Sequence, residues 1–388
     1  MINLSSKRRE LTMIFLDNAS TTQIYDEALN AYVNYSKNSY FNPSALYKAG
    51  SDINMDLLKN RNEILKLLGA SLMDKLIFTS GATEANNMAI NGVLRKNMGK
   101  LVFSYAEHPS VYNVAKELQE KGYQVEFVKL TSEGVVDEND FREKVIGASF
   151  VSIMHVCNET GAINDIKRLV SIAKKVNKKV IFHSDGVQAI GKIPVNFCDL
   201  GVDMYTISAH KIHGPKGVGA LYVKDGINLK PLVYGGGQEF GLRSGTENSC
   251  GIIAFCMALQ LSIMRLKENF EHVSKLKAAF IKELSTNFIN YRIISTDDCS
   301  PYIVSFAIPY VKAETTLHMA EQDGVLLSNG SACSSRKSGN RILSAMGVGD
   351  VTINGSLRIS FSEFNTEEEV VYAASILKLN CEKYLKII

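Results

Sequence analysis

Short β-branched runs alternate with amphipathic helical stretches through about the first 225 residues, and this alternation narrows the possible folds more than any other feature. "KLIFTS" (75–80) precedes the helix-like "ATEANNMAINGVL". "KLVFSY" (100–105) precedes "SVYNVAKELQEKG", and "YQVEFVKL" follows. Then come "SFVSIMHV" (149–156), "DIKRLVSIAKKVN", "KVIFHSD" (179–185), "VDMYTIS" (202–208) and "GALYVKD" (219–225). Runs of this length, separated by one-faced helices, predict an α/β fold with a large, mostly parallel sheet covered by helices.

After residue 225 the rhythm changes. An apolar helix is expected over about 248–268 and a second over "FEHVSKLKAAFIKELSTNF". A strand-rich part follows ("YRIIST", "YIVSFAIP", "SLRISFS"). The last helix opens on Thr366-Glu367-Glu368-Glu369, the spacing of a capping box. A length of 388 residues suits two domains. We place a large α/β domain at 15–262 and a smaller α+β domain at 1–14 with 263–388.

Composition removes several function classes. A net charge of +3 lacks the clustered basic footprint of a nucleic-acid binder, and Lys174-Lys175 with Lys178-Lys179 read as a solvated helix face. The seven cysteines are odd in number, scattered and without C-x-x-C, which argues against a disulfide framework or structural zinc and for a reducing, cytoplasmic setting. The N-terminal apolar run is broken at Asp17, too early for a signal peptide. "CGIIAFCMALQLSIM" carries Gln260 and Ser262 and falls short of a membrane span, so a buried helix is expected there.

In open parallel sheets ligands bind beyond the carboxyl ends of the strands. Ser80-Gly81-Ala82-Thr83-Glu84 stands between a strand and a helix. It suits a phosphate at the helix N-terminus, or else a plain N-cap by Ser80 or Thr83. There is no Walker lysine and no G-x-G-x-x-G, so neither a nucleotide nor a nicotinamide cofactor is implied. Other strand ends carry Glu107-His108, Asn158-Glu159 and Asp185, with Gln188 three residues on. "SAHKIHGPKG" sets Lys211 between two histidines in a tight turn. A carboxylate, a phosphate-binding turn, a histidine and a lysine at one sheet edge point to pyridoxal phosphate, whose aldehyde bonds a lysine and whose ring nitrogen needs an acidic partner. A solvated surface lysine is the plainer alternative.

The segments "FLDNASTT" (15–22), "FNPSALYKAG" (41–50), "FTSGATEANNMAI" (78–90), "EHPSV" (107–111), "MHVCNETGAINDI" (154–166), "HSDGVQAIGK" (183–192), "SAHKIHGPKGVGALYV" (208–223), "GGGQEFGLRSGTEN" (235–248), "SNGSACSS" (328–335) and "LRISFSEFNTEEE" (357–369) together resemble the cysteine desulfurases of the NifS/IscS type. These are pyridoxal-phosphate enzymes of aminotransferase class V. The resemblance implies a fold-type I transferase and a homodimer that converts L-cysteine to L-alanine. Lys211 would bond the cofactor, Asp185 would face its ring nitrogen and His108 would stack on the ring. Asn158 and Gln188 would bind the ring oxygen. Ala82, Thr83, Ser208 and His210 would hold the phosphate, with Thr246 contributed by the partner subunit. Arg358 would grip the substrate carboxylate, assisted by Asn42.

Cys333 would take the sulfur as a persulfide. Its Ser- and Gly-rich surroundings suit an exposed loop, and Arg336 and Lys337 favour the thiolate. A sulfur-acceptor protein would then receive the sulfur, for iron–sulfur cluster assembly or for tRNA or cofactor thiolation. No direct nucleic-acid or membrane partner is expected. A selenocysteine lyase or another class V β-lyase could use the same scaffold, and a non-catalytic sulfur-relay subunit is the reading from a different class. Tyr47, Cys157 and His213 depart from residues frequent in the family.

Overall fold

The computed structural model describes residues 13–95, 98–286, 291–329 and 340–385. In chain order the strands are β1 (Ile14–Phe15), β2 (Lys75–Thr79), β3 (Lys100–Ser104), β4 (Val125–Val128), β5 (Ala148–Ser152), β6 (Ile181–Asp185), β7 (Met204–Ser208), β8 (Gly219–Val223), β9 (Arg292–Ile293), β10 (Ile303–Ala307), β11 (Val325–Leu326) and β12 (Ser356–Ser360). Contacts divide the chain into two compact units. One comprises Thr21–Asn158 and Ala162–Lys267. The other takes the residues before Thr21, Glu159–Gly161 and those from Glu268 onward.

The first unit holds a seven-stranded sheet in the order β2-β8-β7-β6-β5-β3-β4. Only β8 runs against its neighbours, because it follows β7 by a short turn and pairs with β2 and β7 antiparallel. The other strands are parallel, as helical crossovers between them require. Buried on both faces, they read as near-continuous apolar runs; β7 and β8 are buried at every position. Four helices open this unit: α1 (Asp26–Asn38), α2 (Lys48–Leu67), α3 (Ala82–Val93) and α4 (Pro109–Glu120). Met88, Ile90 and Val111 from α3 and α4 join Leu101, Phe103, Phe150 and Leu221 of the sheet in one core cluster. Burying such side chains contributes about 1.5–3 kcal/mol each.

The helix Ile166–Val176 shows how sequence sets a face. Asp165 accepts from the Arg168 amide at 2.9 Å and starts it, while Ile166, Leu169, Val170, Ile172 and Ala173 are buried. Lys175, Lys178 and Lys179 are exposed as expected. Lys174 is not part of that solvated face. Its Nζ donates to Asp203 Oδ2 and to the Val180 carbonyl, both at 2.6 Å, because Asp203 is buried behind β6 and needs a cation.

The expected apolar helix over 248–268 runs Ser249–Met264 and breaks at Arg265, where Leu266–Ser285 begins. Ile252, Phe255, Cys256 and Leu259 are buried in it. Among the described residues no single helix is long and apolar enough to cross a membrane.

In the second unit β12, β10 and β9 form an antiparallel sheet, and β1 pairs in parallel with β11. Its core gathers Leu16, Phe280, Phe306, Ile359, Phe361 and Leu377. The last helix, Glu367–Leu385, starts as the sequence predicts. The Glu369 amide donates to Thr366 Oγ1 and the Thr366 amide to Glu369 Oε2, both at 3.2 Å.

Candidate active site

The parallel strands of the first unit end along one edge of the sheet, and most of the residues singled out from sequence stand there. Asp185 closes β6 level with Thr206 on β7, so Ser208 lies two residues further along the neighbouring strand and on the same face. Strand spacing and rise put the two Cα atoms about 8 Å apart. Ser208 in turn pairs with Gly219, which also pairs with Thr79 at the end of β2. Two residues past Thr79 comes Gly81, and there α3 begins.

The approach at that point is close. A Cβ on Gly219 would stand 2.8 Å from the Gly81 Cα and 2.8 Å from the Ile207 carbonyl oxygen. Gly81 itself adopts φ 155° and ψ 178°, a backbone region that is essentially glycine's alone. The plain N-cap by Ser80 or Thr83 is not what forms. Gly81 is the N-cap without a side-chain bond, and the Ser80 amide donates instead to Glu84 Oε2 at 2.7 Å. The first turn of α3, with Ala82 and Thr83, therefore presents backbone N–H groups to an anion. Beside it the Ser208 hydroxyl is buried with no hydrogen-bond partner among the described residues. A buried, unanswered hydroxyl next to a glycine-lined helix start fits a phosphate.

Ala209–Lys211 form a single 3₁₀ turn, closed by Ile212 and Gly214 amides donating to the Ala209 carbonyl at 3.0 and 2.9 Å. Lys211 is half-buried at its end. The turn is tied down by the chain before α1. The Thr22 amide donates to the His210 carbonyl at 3.0 Å, and Thr21 Oγ1 lies 3.2 Å from His210 Nδ1. Burial, helped by the charges of Lys211, Lys216 and Lys192, pushes the His210 pKa down to about 4, so the ring is neutral. His213 accepts a left-handed φ of 61° and is buried. It stacks on Tyr25 at 4.5 Å, with Nδ1 2.7 Å from the Gln23 carbonyl.

Asp185 is 4% exposed. Its Oδ2 accepts from Asn86 Nδ2 at 2.7 Å and its Oδ1 from the Val187 amide at 3.0 Å, so both oxygens are held. Gln188 is buried, and its Oε1 accepts from Lys192 Nζ at 2.7 Å, which leaves the amide nitrogen as its donor end. His108 is the N-cap of α4 and accepts from the Ser110 amide through Nδ1. Asn158 lies in the loop after β5 that the Val156–Ile163 bridge closes. Cys157 is buried, which fits packing.

Two other expected site residues, Asn42 and Thr246, are exposed on loops. Asn42 is exposed, and its Oδ1 accepts from the Ser44 amide at 2.9 Å in a local turn. Thr246 is exposed on the loop before the helix Ser249–Met264. Arg358 belongs to the second unit. Its Nη2 donates to Asp17 Oδ1 at 2.6 Å and to Ser20 Oγ at 2.8 Å, which fixes the plane of the guanidinium. Cys333, with Arg336 and Lys337, lies outside the described residues.

Thr21, Asn86 and Ser110 also join these contacts. Each lies inside a quoted motif, but the partner of each contact is distant or on another element, so spacing gave no signal. Glu239 in "GGGQEFGLRSGTEN" is likewise silent in the sequence. Glu239 receives Arg61 Nη1 and Nη2 at 2.7 and 2.8 Å and the Phe78 amide of β2 at 2.8 Å.

The family described as aminotransferase class-V matches residues 14–372. A curated relative named cysteine desulfurase IscS, from Dictyoglomus turgidum, is 37% identical over 376 residues, 95% of each chain. Among solved structures, a NifS-like protein superposes with a TM-score of 0.89 at 33% identity, covering 97% of this chain and 100% of that one. SspA, solved in complex with cysteine, gives 0.79 at 27% identity and covers 91% and 100%.

Proposed function

The chain belongs to the aminotransferase class-V family, among its cysteine desulfurases, and on that premise we propose that it uses pyridoxal phosphate to remove the sulfur of L-cysteine and release L-alanine. One observation carries the cofactor reading. The buried Ser208 hydroxyl, without a partner among the described residues and beside the Gly81–Gly219 approach, stands three residues before Lys211. In this reading Ala82, Thr83, Ser208 and His210 hold the phosphate, Asp185 keeps the ring nitrogen protonated, His108 covers the ring, and Asn158 and Gln188 bind its oxygen.

Bound there, pyridoxal phosphate supplies an aldehyde that bonds amines and a ring that withdraws electrons from the bonds around an amino acid's α-carbon. Lys211 would hold the cofactor through its amine, and the same amine would carry the α-proton. Arg358 offers a planar fork to the substrate carboxylate, with Asn42 assisting. The Cys333 thiolate attacks the substrate sulfur. The Cβ–S bond breaks, an S–S bond forms, and Cβ gains a proton to give alanine. The sum is balanced: cysteine and a thiol become alanine and a persulfide, with no outside oxidant.

The persulfide sulfur then passes to an acceptor protein of iron–sulfur assembly or thiolation. Thr246 serves the phosphate of a second copy. A homodimer is supported by α1 and α2, which pack on the helix Ser249–Met264 yet leave Leu29, Val33, Met55 and Leu58 exposed. We place the large domain at 15–262 and the small one at 1–14 with 263–388. Borohydride reduction of the coloured protein followed by peptide mapping tests the cofactor reading. Pyridoxyl label on Lys211 is expected, whereas label on another lysine, or none, overturns it.

A further inference from the structure

Resting on that cofactor reading, we propose that Asn86 and Ser110 are positioning residues that hold His108 as a neutral ring with its proton on Nε2. A continuous hydrogen-bond chain joins the two cofactor-facing groups. Asn86 Nδ2 lies 2.7 Å from Asp185 Oδ2 and 2.8 Å from Ser110 Oγ, and Ser110 Oγ lies 2.8 Å from His108 Nδ1. The chain is shielded from water, with Asn86 0%, Asp185 4% and Ser110 8% exposed.

Its direction follows from its ends. A carboxylate only accepts, so the Asn86 group facing Asp185 is the amide NH₂, which has two hydrogens to give. One goes to Asp185 and the other to Ser110 Oγ. The Asn86 carbonyl oxygen has no hydrogen-bond partner among the described residues, the natural cost of turning the nitrogen toward both neighbours. Having accepted from Asn86, the Ser110 hydroxyl has its own hydrogen for His108 Nδ1. The Ser110 backbone amide, which can only donate, reaches the same atom at 3.2 Å. Two donors on Nδ1 leave it the lone-pair nitrogen, and a neutral ring then carries its proton on Nε2.

The consequence is chemical. His108 offers an N–H from Nε2 and cannot take up a proton at that atom. Protonating Nδ1 would set it against two donors. His108 is thereby fitted to cover and hydrogen-bond, and movement of the α-proton falls to the Lys211 amine. The negative charge that serves the ring nitrogen also sets the tautomer of the covering histidine.

The test is ¹⁵N NMR of the histidine-labelled holoenzyme, with His108 assigned by loss of its signals in His108→Gln. Nδ1 should resonate as an unprotonated nitrogen and Nε2 as a protonated one, and the same should hold in protein stripped of pyridoxal phosphate, because every member of the chain is a protein group. Ser110→Ala should admit a second ring species and lower kcat about tenfold at unchanged KM, the worth of about one hydrogen bond. Ser110→Thr should restore both. A wild-type His108 protonated on Nδ1 overturns the proposal, as does a Ser110→Ala spectrum and kcat equal to wild type. Wild-type protein that binds no pyridoxal phosphate would instead sink the cofactor reading and leave the tautomer result standing.

Discussion

Replacing Glu239 by alanine should unsettle the phosphate end of the site through a clamp rather than through any contact with substrate. The Glu239 side chain is 2% exposed, and its two oxygens take both terminal nitrogens of Arg61 as well as the Phe78 amide. Arg61 is sandwiched between the Phe78 and Phe240 rings, 4.8 Å from each centroid. Glu239 and Phe240 hold left-handed φ values of 47° and 61°, each costing roughly 1–3 kcal/mol, which only firm anchoring sustains. Removing the carboxylate strands the Arg61 charge and a β2 amide. Breaking a buried pair in this way costs about 3–5 kcal/mol. For a chain of 388 residues that lowers Tm by about 4–6 °C. Since Phe78 lies three residues before Gly81, pyridoxal-phosphate affinity should fall as well. Calorimetry of Glu239→Ala, Arg61→Met and the double variant measures the coupling. The double variant should recover much of the loss. A Glu239→Ala protein within about 1 kcal/mol of wild type, or strictly additive losses, would refute the clamp.

Two further outcomes follow from buried groups. Burial pushes the pKa of His155 down to about 4 and that of His183 to about 3, against 6.5 for a free ring. The unfolded chain therefore binds protons that the folded chain refuses, so the stabilisation is complete above pH 6.5 and is lost as pH falls toward 4 and 3. At pH 5 the two rings together remove roughly 4 kcal/mol, and a calorimetric Tm that stays flat from pH 7 to 5 would contradict this. Gly219→Ala puts a methyl against the Gly81 Cα, and overpacking of this kind costs about 1–3 kcal/mol. Reconstitution of the apoprotein should show weaker pyridoxal-phosphate binding, and an unchanged affinity would mean that the close approach is not needed.

The fold was legible because its signals are local. A buried parallel strand must be a short apolar run, so β2 to β8 and the residues that end them could be read directly. Asp185, Ser208 and Lys211 needed only strand ends to be placed on one edge. What could not be read depends on partners far away in sequence. Asn86 meets Asp185 across 99 positions and His210 meets Thr21 across 189. Lys174 looked like any solvated lysine until folding set Asp203 beside it. The cap of α3 is hidden from the sequence for a different reason. Ser80 and Thr83 are ordinary capping residues, but the crowding of Gly81 against Gly219 fixes a backbone that moves the cap to the glycine.

The central claim is that Cys333 takes sulfur from cysteine as a persulfide, and release of alanine from L-cysteine by the purified protein without added reductant tests it most directly. A burst of about one alanine per subunit, continuing as turnover when a thiol is added and absent from Cys333→Ser, is the result expected of a covalent sulfur intermediate. Alanine released by Cys333→Ser at the wild-type rate, or none from wild-type protein that carries pyridoxal phosphate, would contradict it.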